Sequence, residues 1–276
     1  MLVIENVTVR FGGVTALDDF SARVPDGEIC GFIGPNGAGK TTLFNCCTRV
    51  IRPAAGRITF DDHDLLAEPA HGVIRRGVAR TFQNLAIFPS MTVLENTMVG
   101  AHSRARVSFT QGLIGWPPSL RRQRMLRADA YEILAQIGLA DVAFERAEGL
   151  PFGTLKRLEL ARALAARPKL LLLDEPAGGL THTEVNELGA LIRRVCADFS
   201  LSAVLVEHHM GLVMSVSQHI VALDNGRKIA DGSPDEVRNN PAVIDAYGER
   251  ASRASRRGAV LPGLRSEERA TREGGT

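Results

Sequence analysis

Residues Gly34-Pro35-Asn36-Gly37-Ala38-Gly39-Lys40-Thr41 constrain this chain more than any other segment. They match G-x-x-x-x-G-K-[ST], and the flanks are right for it. The apolar run Glu28 to Ile33 reads as a strand entering the loop, and Thr42 to Val50 reads as an apolar-faced helix leaving it. Glycines let the backbone fold tightly enough to point successive N–H groups at phosphate oxygens. The helix N-terminus behind the loop adds about half a positive charge. Lys40 has the reach for β- and γ-phosphates, and the Thr41 hydroxyl suits Mg²⁺. The segment from Gly34 through Thr42 is therefore expected to hold the phosphates of a nucleotide together with Mg²⁺.

Leu170-Leu171-Leu172-Leu173-Asp174-Glu175 supplies a second half for that site. Four leucines bury a strand, and two carboxylates emerge at its C-terminal edge, where parallel sheets bind ligands. Asp174 would hold Mg²⁺ through its water shell. Glu175 would orient and polarise an attacking water.

The remaining chain supports an α/β reading. Val3 to Arg10, Ser21 to Val24 and Arg57 to Phe60 read as strands of a first β layer. Helical spacing covers Met91 to Val99, Arg121 to Gly138 and Thr154 to Ala166, with Ala128, Ile133, Leu134 and Ile137 sharing one face. An irregular piece, Ser103 to Ser119, lies between them. Beyond Leu170 the alternation resumes. Thr181 to Glu184 reads as a capping box opening a helix to about Val195, Ala203 to Glu207 and Ile220 to Asp224 read as strands, and Ser233 to Glu236 reads as a second capping box. Separated apolar strands with intervening helices imply a mainly parallel sheet covered on both faces. Arg-rich residues 249–276 read as a disordered tail.

Composition narrows the function further. Lys plus Arg is 33 against 31 for Asp plus Glu, so the formal net charge is only +2. With aromatics at 5%, that balance argues against a protein built to grip nucleic acid. No run approaches the roughly 18 apolar residues of a membrane span. The start MLVIENVTVRFGG has no basic segment followed by an apolar one, so no secretory signal is expected. Work at a membrane would then go through a partner. Cys30, Cys46, Cys47 and Cys196 form no C-x-x-C pair and read as buried, reduced thiols.

From residue 2 to 248 the chain resembles the nucleotide-binding subunit of an ATP-binding cassette (ABC) transporter. The order of pieces carries the resemblance: phosphate loop, Gln83 in TFQN, a helical insert, Leu150-Pro151-Phe152-Gly153-Thr154, the acidic strand, then His208. Within that family it looks most like the ATPase subunits of branched-chain amino acid importers, through FGGVTALDD, RTFQN, LKRLELARAL, LLLLDEPAGGL, EHHMGLVMSVS and RNNPAVIDAY. The resemblance implies a P-loop NTPase core of ABC type with a mainly parallel sheet, an N-terminal antiparallel β layer and an α-helical subdomain. The ATPase domain would span 1–248, with helices at about 85–165 inserted in the core.

The resemblance also assigns roles. Phe11 matches the aromatic that stacks on adenine, Gln83 the glutamine that senses Mg²⁺ and links to the membrane subunit, and His208 the switch histidine at the γ-phosphate. His209 receives no role, and the other five histidines are taken as structural. Glu175, His208, Gln83 and Lys40 form the expected catalytic set; Thr41, Gln83 and Asp174 form the expected Mg²⁺ set. Leu150 to Thr154 stands where the family's signature caps a helix facing ATP in the opposite subunit. A second ATPase subunit, transmembrane permease subunits and, indirectly, a solute-binding protein are the implied partners, with no nucleic acid. The implied location is the cytoplasmic face of the inner membrane, peripherally. Apolar Leu85, Ile87 and Phe88 lie where the family receives a short helix from the membrane subunit.

Two departures from the family pattern stand out. Pro151 has neither hydroxyl nor N–H where the signature usually carries serine, so two donors disappear and the Gly153 N–H remains. Thr181 occupies a position where many members carry an aspartate between the two ATP sites.

Overall fold

The run before the glycine loop becomes β3 (Ile29–Ile33), buried along its whole length. A computed structural model describes residues 1–81, 85–102 and 117–256. Ahead of β3 stand β1 (Leu2–Phe11) and β2 (Val14–Val24), paired antiparallel around the Gly12-Gly13 turn. After it come α1 (Lys40–Cys47), β4 (Ala55–Phe60), β5 (His63–Asp64), α2 (Ala70–Val73) and β6 (Val78–Arg80). Among the described residues, three longer helices follow: α3 (Val93–Ala101), α4 (Pro117–Gln136) and α5 (Phe152–Ala165). The last third holds β7 (Leu170–Asp174), α6 (His182–Asp198), β8 (Ser202–Val206), α7 (Met210–Val216), β9 (His219–Asp224), β10 (Arg227–Gly232), α8 (Pro234–Arg238) and α9 (Pro241–Arg256).

Two sheets result. The N-terminal one is antiparallel in the order β2-β1-β4-β5. The central one runs β10-β9-β3-β8-β7-β6 and is parallel except for β10, which returns antiparallel on β9. Strands of the central sheet are apolar on both faces because both faces are covered. Leu170 and Leu172 enter one core with Phe32 of β3, Phe20 of the antiparallel layer and Phe44 of α1. Leu171 and Leu173 enter the other, with residues of α3 to α7. This is the α/β architecture, with an antiparallel layer and a helical group, that the resemblance implied.

Local signals set several element ends. Thr181 and Ser233 each close a capping box with Glu184 and Glu236, and the Thr181 and Ser233 backbone N–H groups hold those carboxyls below their usual range. A third box, Thr92 with Glu95, starts α3 two residues later than the apolar spacing implied, because Thr92 is its cap. Along α4 and the turn just after it the buried face is Ala130, Ile133, Leu134 and Ile137, whereas Ala128 is exposed. Ala130 keeps the i, i+3, i+4, i+7 stripe that Ala128 breaks.

β5, β6 and β10 were not legible beforehand. The first two span two and three residues, and β10 is an edge strand with charged side chains. Helix α9 runs to Arg256, eight residues past the expected boundary at 248. Neither glycine nor proline stands between Glu249 and Arg256, where Ala and Arg favour a helix already begun. Residues 257–276 of the expected tail and 103–116 of the irregular piece lie outside the described residues. Among the described residues no helix is long and apolar enough to cross a membrane.

Candidate functional site: a phosphate loop beside an acidic strand edge

Strand register brings the two motifs to one edge. Val206 on β8 pairs with Phe32 of β3 on one side and Asp174 of β7 on the other. The glycine loop and the acidic pair therefore leave the sheet within two residues of the same row. Because the three strands are parallel, their C-terminal ends open toward one crevice.

In the loop, Gly39 caps α1 at φ 104°, and a Cβ there would lie 2.6 Å from the Ala16 carbonyl oxygen. Only glycine lets the loop pass this close to the β1–β2 hairpin. Gly37, at φ 82°, has open space where a Cβ would stand, so a ligand can approach its backbone. Lys40 is 5% exposed, and its Nζ donates to the Gly34 and Pro35 carbonyls at 2.5 and 3.1 Å. The ammonium is thus anchored over the loop it is expected to serve. Pro35 and Ala38 are buried, Asn36 and Thr41 exposed, and Thr42 half-buried. Phe11 is 50% exposed at the end of β1, so it is not a core aromatic and its ring face is available for stacking.

At the acidic edge, Asp174 is 1% exposed. Its backbone N–H donates to Thr81 Oγ1 at 3.2 Å, and its Oδ2 accepts from Arg80 Nη2 at 2.7 Å. Its Oδ1 is buried without a hydrogen-bond partner among the described residues. A hard carboxylate oxygen left over at this strand edge fits Mg²⁺, which takes one or two protein oxygens and fills its shell with water and phosphate. Among the described residues no group of three His, Cys, Asp or Glu gathers to hold a metal ion.

Glu175 follows in the left-handed region at φ 48°, an uncommon conformation for a residue with a side chain. Its N–H donates to the Val206 carbonyl at 2.8 Å, and its Oε1 lies 2.7 Å from His208 Nε2. His208, at the end of β8, is 43% exposed and Glu175 is 19% exposed. Two residues expected to share one reaction are therefore in direct contact.

Sequence reasoning missed the group that holds them. Glu207 is 1% exposed. One carboxylate oxygen accepts from the Ala177 N–H at 2.7 Å; the other accepts from the His208 and His209 N–H groups at 2.7 and 3.1 Å. A single buried side chain thus ties the turn after Glu175 to the turn carrying His208. A glutamate closing an apolar strand was the only available signal.

Pro151 is the N-cap of α5 and makes no side-chain cap. The helix begins at Phe152 with Gly153 in its first turn, two residues earlier than its apolar spacing implied. Leu150, Gly153 and Thr154 are half-buried, while Pro151 and Phe152 are exposed. Gln83 lies outside the described residues. Just beyond it, Ile87 is partly buried against the core and Phe88 is 45% exposed. Buried Asn96 clamps Phe88, its Oδ1 taking the Phe88 N–H at 2.9 Å and its Nδ2 donating to the Phe88 carbonyl at 3.0 Å. Phe88, Ile74, Val99 and Ala166 line a groove of about 350 Å³.

The family described as "ABC transporter" matches residues 17–178. This chain belongs to that family. A second family, described as "Branched-chain amino acid ATP-binding cassette transporter", matches residues 227–247 of the cassette, from β10 into α9. The cassette is 40% identical over 247 residues to the high-affinity branched-chain amino acid transport ATP-binding protein BraF of Pseudomonas aeruginosa, covering 90% of this chain and 97% of that one. It is 39% identical over the same shares to the high-affinity branched-chain amino acid transport ATP-binding protein LivG of Escherichia coli strain K12. Among solved structures, the ADP conformation of an ATP-binding cassette of an ABC transporter superposes with a TM-score of 0.79 at 28% identity, covering 90% of this chain and 98% of that one. ABC cassettes are in general the ATP-binding, ATP-hydrolysing subunits of transport systems that work with permease subunits.

Proposed function

We propose that this cassette is the ATP-hydrolysing subunit of an importer for branched-chain amino acids. The substrate class rests on the names of relatives 39–40% identical over 90% of the chain. The reaction rests on one observation above the rest: Glu175 and His208 meet at 2.7 Å on the strand edge beside the phosphate loop.

The roles follow from the chemistry of each group. Gly34 to Thr42 cradle the triphosphate with backbone N–H groups, and Lys40 turns its ammonium to the β- and γ-phosphates. Phe11 stacks on the adenine. Thr41, Asp174 and Gln83 would hold Mg²⁺, which when bound would supply positive charge against the phosphoryl oxygens. Glu175 orients the attacking water and accepts hydrogen bonding from it at the carboxylate. His208 steadies the Glu175 oxygen and offers its ring to the γ-phosphate.

Leu150 to Thr154 serve the ATP of a second cassette, so each site is complete only when two subunits pack head to tail. Differential affinity of the pair for ATP over its products then drives closing and opening. Two permease subunits receive that motion, with Phe88 and its groove as the contact, and a solute-binding protein delivers the amino acid. The cassette works peripherally at the cytoplasmic face of the inner membrane.

The test is Glu175→Gln in the assembled transporter. ATP binding is expected to persist, with ATP hydrolysis and leucine uptake both lost. Turnover near wild type would remove Glu175 from the reaction, and uptake indifferent to leucine, isoleucine and valine would remove the substrate assignment.

A further inference from the structure

Arg80 is used by none of the roles above, yet it touches both halves of the site. It closes β6 at the sheet edge next to β7, 10% exposed. Its Nη2 donates to Asp174 Oδ2 at 2.7 Å, while its Nη1 donates to Asn45 Oδ1 at 2.7 Å and Thr48 Oγ1 at 3.3 Å on and just after α1, the helix behind the phosphate loop. Its guanidinium carbon sits 5.6 Å from the centroid of Phe44, on the same helix. One planar cation thus bridges the helix that presents Lys40 and Thr41 to the strand that presents Asp174 and Glu175.

A carboxylate as buried as Asp174 needs a counter-charge, because taking an unpaired charge out of water is costly. Arg80 supplies it from one side only. It holds Oδ2 and leaves Oδ1 as the oxygen still able to accept. The geometry points to Arg80 as the resident counter-cation of Asp174: it holds Oδ2 and leaves Oδ1 as the acceptor on the side of the cation site. This rests on the reading of Asp174 as the metal-facing carboxylate. By linkage, the arginine and a divalent cation share one charge, so removing the first makes the second matter more.

Arg80→Met keeps the stem packed against Phe44 and deletes the charge; Arg80→Lys keeps the charge and deletes the fork. Melting in EDTA, melting with Mn²⁺ plus ADP, and Mn²⁺ titration followed by electron paramagnetic resonance in the presence of ADP give the readouts. Arg80→Met should melt roughly 6 °C or more below wild type in EDTA, since an unpaired buried charge is left behind. Adding Asp174→Asn should recover most of that loss. Mn²⁺ with ADP should raise the melting point of Arg80→Met more than that of wild type, with Mn²⁺ held about tenfold tighter once the neighbouring cation is gone. Arg80→Lys should stay near wild type in both respects. A merely structural arginine would lower stability without changing the Mn²⁺ response. An Arg80→Met loss that Asp174→Asn does not relieve, or a Mn²⁺ response no larger than that of wild type, overturns the assignment. A wild-type protein indifferent to Mn²⁺ with ADP instead overturns the nucleotide and metal site itself.

Discussion

Glu207→Gln tests whether one buried carboxylate organises the catalytic edge. The natural side chain accepts three backbone N–H bonds, from Ala177, His208 and His209, through both its oxygens. Glutamine has one oxygen. If that oxygen serves His208 and His209, its NH₂ group faces the Ala177 N–H, donor against donor. One charge-assisted bond is lost, worth about 1.5–3 kcal/mol, and the surviving pair weakens as the acceptor loses its charge. Relief from holding a carboxylate at 1% exposure offsets part of this. A net loss of about 2 kcal/mol is expected, or about 4–8 °C in melting temperature for a chain of this size. The catalytic consequence is more diagnostic. Glu175 lies two residues before Ala177, and His208 follows Glu207 directly, so the 2.7 Å contact between them loosens. Lys40 and the phosphate loop keep their own anchors. Scanning fluorimetry and steady-state ATPase assays on the assembled transporter should therefore find kcat down about tenfold or more, equivalent to 1.4 kcal/mol on the barrier, with KM for ATP little changed. A lower melting temperature with unchanged kcat would refute the positioning role and leave Glu207 a purely structural residue.

Three further outcomes follow from the same geometry. Pro151→Ser gives α5 the side-chain cap it lacks, about 1 kcal/mol of helix stability, and restores a donor toward the opposite ATP; ATPase rate or ATP-dependent dimerisation should rise, and no change in either defeats the idea. Phe88→Asp puts a charge on the exposed wall of the groove near α3 without touching the phosphate loop. ATP binding should persist while co-purification with the permease is lost, and normal co-purification would count against docking there. Burial pushes the Cys47 thiol up to about 12, Cys196 to about 12 and Cys46 to about 11, so the reactive thiolate is scarce at pH 8 and increases only as pH climbs toward those values. Iodoacetamide at pH 8 should leave the folded protein unlabelled, all four cysteines being free and buried, and should label all four in denaturant; rapid labelling of the native protein would contradict the packing.

Much of the fold and part of the site could be read from residues alone because they depend on short-range physics. The glycine loop needs positive φ and a following helix; β7 needs four leucines to be apolar on both faces; Thr181 and Ser233 cap helices through bonds only three residues long. Lys40, Asp174 and Glu175 stand at positions that such local rules pick out, and the element order then points to the family. Folding decided what depends on register and distance. Pairing of Val206 with both Phe32 and Asp174 sets the two motifs side by side. Arg80 reaches Asp174 across 94 residues, and Glu207 reaches Ala177 across 30. β6 and β10 exist because a sheet edge accepts them, and α4 buries Ala130 where Ala128 was expected because packing selects the stripe. Hydrogen bonds and ion pairs between distant segments leave no periodicity behind, so the groups that position the chemistry become visible only once strands have found their neighbours.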